Sequence, residues 1–432
     1  MLSRWRAHAA AHLAARTALV VRAVSRGLPL VCAAMLAWQA SGVEAQLRAT
    51  DLPAVRALDQ RAAPSPVRAP RPLGELGPFR GITVGPIENS QQPGRGYGTV
   101  YSEALLDHLV RMGVTWISVT PFGRIWSLSS TEIYMDFEAP YEVSREGLRT
   151  MIAQAHARGI RVLVIPHLWV WSEVGWRGEI DFPDAEGWRD YQASYRAFVL
   201  AWAMDAAAAG ADAFSIGVEC KSWSGRFGPF WTRLIAEVRS VYPGLLTYSA
   251  NWDEAEDVLF WDQLDLIGVN AFYPLAPEND ASFETYEAGA ARIADQVETL
   301  ARVLDMPVLF VEVGYTTREN AAVEPWLWPD GMSDVAYSEE EQARALEASF
   351  RGFVPRDWFA GFFLWRYYAN LDDVSQEAIW GFSTHGKMGE PMLTSVFGAR
   401  FGQEHDPLED LVFPEPEPLD RTAAWWRSTV ID

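Results

Sequence analysis

The chain has 432 residues, of which 49% are apolar and 13% aromatic, with 20 Trp and a formal net charge of -21. That composition excludes a globally disordered chain, and so acidic a surface excludes a partner held by charge alone, whether nucleic acid or an anionic membrane. Two cysteines, Cys32 and Cys220, also exclude a small scaffold held together by cross-links.

In chain order, the first 45 residues read as a targeting segment. Arg4, Arg6, Arg16, Arg22 and Arg26 precede the apolar run Leu28–Trp38, and Val43-Glu44-Ala45 supplies a small-x-small cleavage pattern with Gln46 next. The run is too short for a spanning helix, so no stable membrane insertion is expected after cleavage, and the mature protein is expected in the periplasm or outside the cell. Removing residues 1–45 leaves 31 basic and 56 acidic residues, a net charge of -25. Residues 46–76, rich in Ala, Pro and Arg, read as a linker with no core of its own.

From 77 to 400 the text alternates short β-branched runs with helical periodicity. Leu148, Ile152 and Ala155 form one apolar helical stripe, Gly159 ends it, and Ile160–Ile165 follows as a strand buried on both faces. Ile293, Val297, Leu300 and Leu304 repeat the pattern, with Pro307 as the break and Val308–Val311 as the strand. Eight strands are expected in this way, near 80–84, 114–120, 161–167, 212–218, 245–250, 265–271, 307–312 and 360–365. Strict alternation implies a parallel sheet, and eight units imply a closed (β/α)8 TIM barrel of the α/β class. No Gly-x-Gly-x-x-Gly turn follows any strand, which argues against an open dinucleotide-binding sheet. Residues 401–432 form an acidic, Pro-bearing tail.

In a barrel, chemistry belongs at the C-terminal ends of strands. The fourth expected strand ends in Glu219 and the seventh in Glu312, each directly after buried apolar residues, where an unpaired carboxylate is costly. Two carboxylates about 5–5.5 Å apart across the mouth suit a retaining glycosidase, one holding a proton for the leaving oxygen while the other attacks. Other strand ends carry sugar-binding residue types: His167 followed by Trp169, Asn251-Trp252, Asn270, Tyr273 and Trp365. Tyr273 is placed to orient the nucleophile, with Phe272 beside it leaving the register open. His167 is placed to bind a hydroxyl or tune Glu219. Trp126, Trp223, Trp326 and Trp328 are further subsite candidates. Cys220 is expected to point away from the mouth.

Gly217-Val-Glu219 and Phe310-Val-Glu-Val-Gly-Tyr315, with Tyr248-Ser-Ala-Asn-Trp252 and Asp265–Pro274, resemble glycoside hydrolase family 113 within the clan of retaining barrel glycosidases. The resemblance spans roughly 79–395 and implies β-1,4-mannan hydrolysis. It makes Glu219 the acid/base, Glu312 the nucleophile and Trp365 the platform under the sugar. Val218 stands where many clan members have Asn, so the sugar 2-hydroxyl contact falls to Asn251 or Asn270.

The expected partner is therefore an oligo- or polysaccharide, with no cofactor. A barrel that binds carbohydrate without cleaving it, and a glycosidase of other specificity such as a β-glucanase or exo-β-mannosidase, remain open. Metal catalysis is not expected, since no His-x-His strand end or His-Glu-x-x-His helix exists, and Asp372-Asp373 reads as a solvated loop before it reads as a Ca2+ site.

Overall fold

The computed structural model describes residues 46–58, 78–85, 94–136, 139–171, 175–327, 335–371 and 379–398. The targeting segment, most of the expected linker, Trp328, Asp372-Asp373 and the acidic tail fall outside the described residues.

Eight parallel strands close into a barrel: β1 (Phe79–Gly85), β2 (Trp116–Val119), β4 (Arg161–Val164), β6 (Ala213–Val218), β7 (Leu245–Asn251), β8 (Ile267–Asn270), β9 (Val308–Val313) and β10 (Phe359–Tyr368), which pairs back onto β1. All eight expected strands fall on these. The interior is filled rather than hollow. Phe79, Trp116, Leu163, Leu309, Val311 and Phe363 belong to one buried cluster. Trp116 is wholly buried, and an indole of about 200 Å² contributes about 5 kcal/mol of transfer free energy at the usual coefficient.

Between strands run α2 (Val100–Arg111), α3 (Tyr141–His156), α4 (Ala185–Ala209), α6 (Gly228–Val241), α7 (Phe283–Leu304), α8 (Glu339–Phe353) and α9 (Gly389–Gly398); α5 is a single turn, Lys221–Ser224. Leu148, Ile152 and Ala155 of α3 are buried as the stripe requires, and Gly159 takes φ +76° just beyond the helix. Its Ser338 and Ser282 counterparts do the opposite job at helix starts, capping α8 and α7 through their hydroxyls. The end of α7 differs from expectation. Asp305 adopts the left-handed conformation (φ +50°) and caps the helix, so Pro307 opens the approach to β9 instead of breaking α7.

Two further departures bear on the mouth. The third expected strand stops at Val164, and His167 begins a second segment, β5 (His167–Val170), which pairs with β3 (Phe122–Ile125) in a separate two-stranded parallel sheet. The expected linker is also shorter than its composition suggests. Ala49, Leu52 and Val55 are buried, the last in α1 (Pro53–Leu58), and this segment lies against α4. These three buried residues hold it, a pattern the surrounding Pro, Ala and Arg obscure.

Candidate active site

Both strand-end glutamates follow a bulge. Against β7, three steps of β6 (Ser215 to Val218) match two (Thr247 to Ser249). Against β8, two steps of β9 (Phe310 to Glu312) match one (Val269 to Asn270), and β10 sees the same extra residue. A bulge re-aims the side chains beyond it. Leu309 and Val311 face the interior, so strict alternation would turn Glu312 out of the barrel; the extra residue turns it into the mouth. Glu219 is aimed by its own backbone, at φ +50°, a strained value for a non-glycine residue. Two backbone bonds hold that conformation: Glu219 N–H donates to Ser249 O at 2.8 Å and Cys220 N–H to the Tyr248 hydroxyl at 2.7 Å. The Tyr248 hydroxyl donates in turn to Glu254, which is 1% exposed and also accepts Asn251 N–H at 2.9 Å. Gly217 is needed here, because a Cβ would lie 2.4 Å from the Tyr195 hydroxyl.

Glu219 and Glu312 are both buried, at 6% and 3% exposure, yet their surroundings differ. Glu219 accepts from Asn270 Nδ2 at 2.9 Å through Oε1, and from Trp176 Nε1 and Arg177 Nη2, each at 2.8 Å, through Oε2. Burial favours its neutral form, but Arg177, with the Asn270 and Trp176 hydrogen bonds, outweighs it and holds the carboxyl below the usual range. Glu312 has no such clamp. Burial, reinforced by the charge of Glu219, pushes it up to about 8. Its partner is His167, whose Nε2 lies 3.1 Å from Oε1. Burial keeps His167 neutral, down to about 3. Its Nδ1 is 2.8 Å from Ile165 O, a carbonyl that can only accept, so the ring proton sits on Nδ1 and Nε2 presents a lone pair. Neutral His167 therefore adds no positive charge beside Glu312. Asn270 holds Glu312 down slightly as well, against the larger effect of burial.

These groups open onto a cavity of about 610 Å³ lined by Trp176, Arg177, Glu219, Asn251, Trp252, Asp253, Phe272, Glu312, Trp326, Trp365 and Phe382. Six of the eleven are aromatic. Trp252 stacks on Trp326 with ring centroids 5.2 Å apart and planes at 19°, while Trp365 stacks on His167 at 5.9 Å. Flat apolar faces beside carboxylates and amides are what a sugar ring requires.

The profile of glycoside hydrolase family 113 matches residues 90–387. The chain belongs to glycoside hydrolase family 113. Among solved structures, the family 113 β-mannanase AaManA from Alicyclobacillus acidocaldarius, in complex with ManMIm, is similar at 27% identity and a TM-score of 0.65, over 76% of this chain and 99% of that one. A second family 113 β-1,4-mannanase is similar at 26% identity and a TM-score of 0.64, over 75% and 100%. Among curated proteins nothing matches.

As a family 113 glycoside hydrolase, the protein brings together in this cleft five of the nine residues named from sequence: Glu219, Glu312, Asn251, Trp252 and Trp365. Asn270, fully buried, sits beneath it and bonds Glu219. His167 is also there, though it touches Glu312 and not Glu219. Tyr273 does not take the orienting role: Phe272 occupies the cleft-lining position, and Tyr273 packs edge-on to Trp252 and against Phe310. Trp169 lies on β5, 47% exposed and beside Phe122, outside the cleft lining. Trp326 lines the cleft, whereas Trp223 is a core residue stacked on Trp231, and Trp126 lies under Arg124 beside Trp171. Cys220 is buried with its thiol pushed up to about 12, an inert group. Sequence reasoning missed Trp176, Arg177, Phe382 and Glu254. Glu254 carried a signal, an acid three residues past a strand in Asn251-Trp-Asp-Glu254; Arg177 carried none.

Proposed function

We propose that this glycoside hydrolase cleaves β-1,4-linked mannan or manno-oligosaccharides with retention of anomeric configuration. The observation that carries the mechanism is the pair of buried strand-end carboxyls opening onto one aromatic cleft, the arrangement a double displacement uses. The substrate rests on the likeness to family 113 β-mannanases and on the aromatic cleft.

In this reading Glu312 attacks the anomeric carbon, the glycosidic C–O bond breaks, and Glu219 gives its proton to the leaving oxygen. Glu219 then takes a proton from water, whose oxygen displaces Glu312 and frees the sugar. Burial and mutual repulsion favour a single proton shared by the two carboxyls, and attack needs that proton on Glu219. The leaving-group oxygen competes with Trp176 and Arg177 for Glu219 Oε2. Val218 belongs to the barrel core, so the 2-hydroxyl contact passes to Asn270, whose buried Oδ1 lacks a partner. We also infer export of the mature protein, from the Arg-bearing, apolar and small-x-small order of residues 1–45.

The test is release of reducing ends from β-mannan, glucomannan, β-glucan and xylan, with Glu312→Ala as control. Mannan turnover lost in the variant by a factor of about 10⁴ or more is expected. Activity confined to another glycan overturns the substrate, and full activity of Glu312→Ala overturns the mechanism.

A further inference from the structure

Away from the cleft, three ligand-type side chains converge at the seam where the barrel closes. β10 pairs with β1 there; His108 lies on α2, the helix after β1, and Glu390 in the first turn of α9, the helix after β10. His385 precedes α9 in the connecting loop. His108 Nε2 approaches Glu390 Oε1 to 2.6 Å and His385 Nδ1 approaches the same oxygen to 3.0 Å. The two imidazoles stand at 82° with centroids 5.0 Å apart, so they reach that point from different directions. One ligand atom from each of the three residues lies within 4.8 Å of the others.

Outer contacts fix the carboxylate. Gly386 N–H donates to Glu390 Oε2 at 2.9 Å, and the Tyr367 hydroxyl donates to Oε1 at 3.1 Å. Such support orients a ligating carboxylate and is needed as much as the ligands themselves. The three side chains are partly exposed, at 21%, 33% and 16%, so an ion has a path in. None of them lines the catalytic cleft.

We propose that His108, His385 and Glu390 form a site for a divalent transition metal, best suited to Zn2+, that staples the last barrel helix to the first. Two imidazole nitrogens and one carboxylate make a borderline donor set that takes Zn2+ over Ca2+ or Mg2+. Without metal, each ring must turn a proton inward toward Glu390; a dication replaces those protons as the positive partner. Coordination at about 2.0–2.1 Å spaces tetrahedral ligand atoms roughly 3.3 Å apart, so against Glu390 Oε1 the His108 nitrogen retreats from 2.6 Å and the His385 nitrogen from 3.0 Å, about 0.7 and 0.3 Å. The role is structural, because His108 lies 282 residues from Glu390 in the chain and a shared ion ties the first barrel helix to the last.

The experiment uses the whole untagged protein, stripped with a chelator and then loaded with Zn2+ or Co2+. Expected are one equivalent of bound metal by elemental analysis, the visible absorption of four-coordinate Co2+, and a Tm rise of roughly 3–6 °C in excess Zn2+. His385→Asn and, separately, His108→Ala should lose the metal, the Co2+ spectrum and the Tm rise, while His385→Asn keeps kcat/KM on the glycan. His156, paired with Asp212 on the surface, stays in both variants and reports adventitious binding. Metal bound equally by the wild type and both variants, or by none of them, overturns the proposal and leaves a hydrogen-bonded clasp.

Discussion

Replacing Arg177 by Met tests the electrostatic account of the dyad. The guanidinium lies 2.8 Å from Glu219 Oε2, with the two side chains only 18% and 8% exposed. Charge centres about 4 Å apart at an effective dielectric of about 20 interact by about 4 kcal/mol, equivalent to about 3 pKa units. Water entering the slot left by the guanidinium recovers part of this, so Glu219 rises by only part of that interaction. Arg177 also lowers Glu312, and the two carboxyls titrate as a pair, so both macroscopic constants move up together. The acid/base must be protonated to act; losing the cation favours that form, and the alkaline limb of kcat/KM shifts to higher pH by about one unit or more. The assay is a pH–rate profile on a manno-oligosaccharide for wild type and Arg177→Met. A limb that stays in place, or moves toward acid, refutes the reasoning even if activity falls, because the loss then belongs to substrate binding.

Glu254→Gln puts an amide N–H against Asn251 N–H or the Tyr248 hydroxyl, leaving a buried donor unpaired at a cost of about 1–3 kcal/mol. It should lower both Tm and kcat, and an unchanged kcat would separate Glu254 from the placement of Glu219. N-terminal sequencing of the protein recovered outside the cytoplasm should begin at Gln46; a chain that keeps residues 1–45 counts against cleavage there.

The barrel was legible because its signals are local. Each strand is a short run buried on both faces, and each helix repeats its apolar stripe at 3.6 residues, so neighbouring residues in the chain carry the pattern. What was not legible lay in pairing between distant segments. The bulges in β6 and β9 appear only against their neighbours, and no run of residues announces them. The β3–β5 sheet hid for a related reason: Pro166 and His167 look like the end of a strand, and only the partner at Phe122–Ile125 shows that another begins. The packing of Ala49, Leu52 and Val55 was masked by linker-like neighbours.

At the site, sequence located the carboxyls but not the sign of their charges. That sign follows from a balance among buried groups. Glu219 is matched by one cation, Arg177, at hydrogen-bond distance. Glu312 faces His167, which burial keeps neutral, and so has no matching positive partner in contact. Glu254 is also buried without a cation and is pushed up to about 7. A low-dielectric site tolerates about as many negative charges as it has positive ones, so the dyad enters the reaction with one proton between its two members. That is the count a double displacement requires. Arg177, which no motif marks, favours the ionised form of Glu219, and the substrate's leaving oxygen competes with it for the same Glu219 oxygen. Protonation of the acid is thereby tied to occupation of the cleft: an occupant that draws Arg177 away from Glu219 favours the protonated form the acid needs.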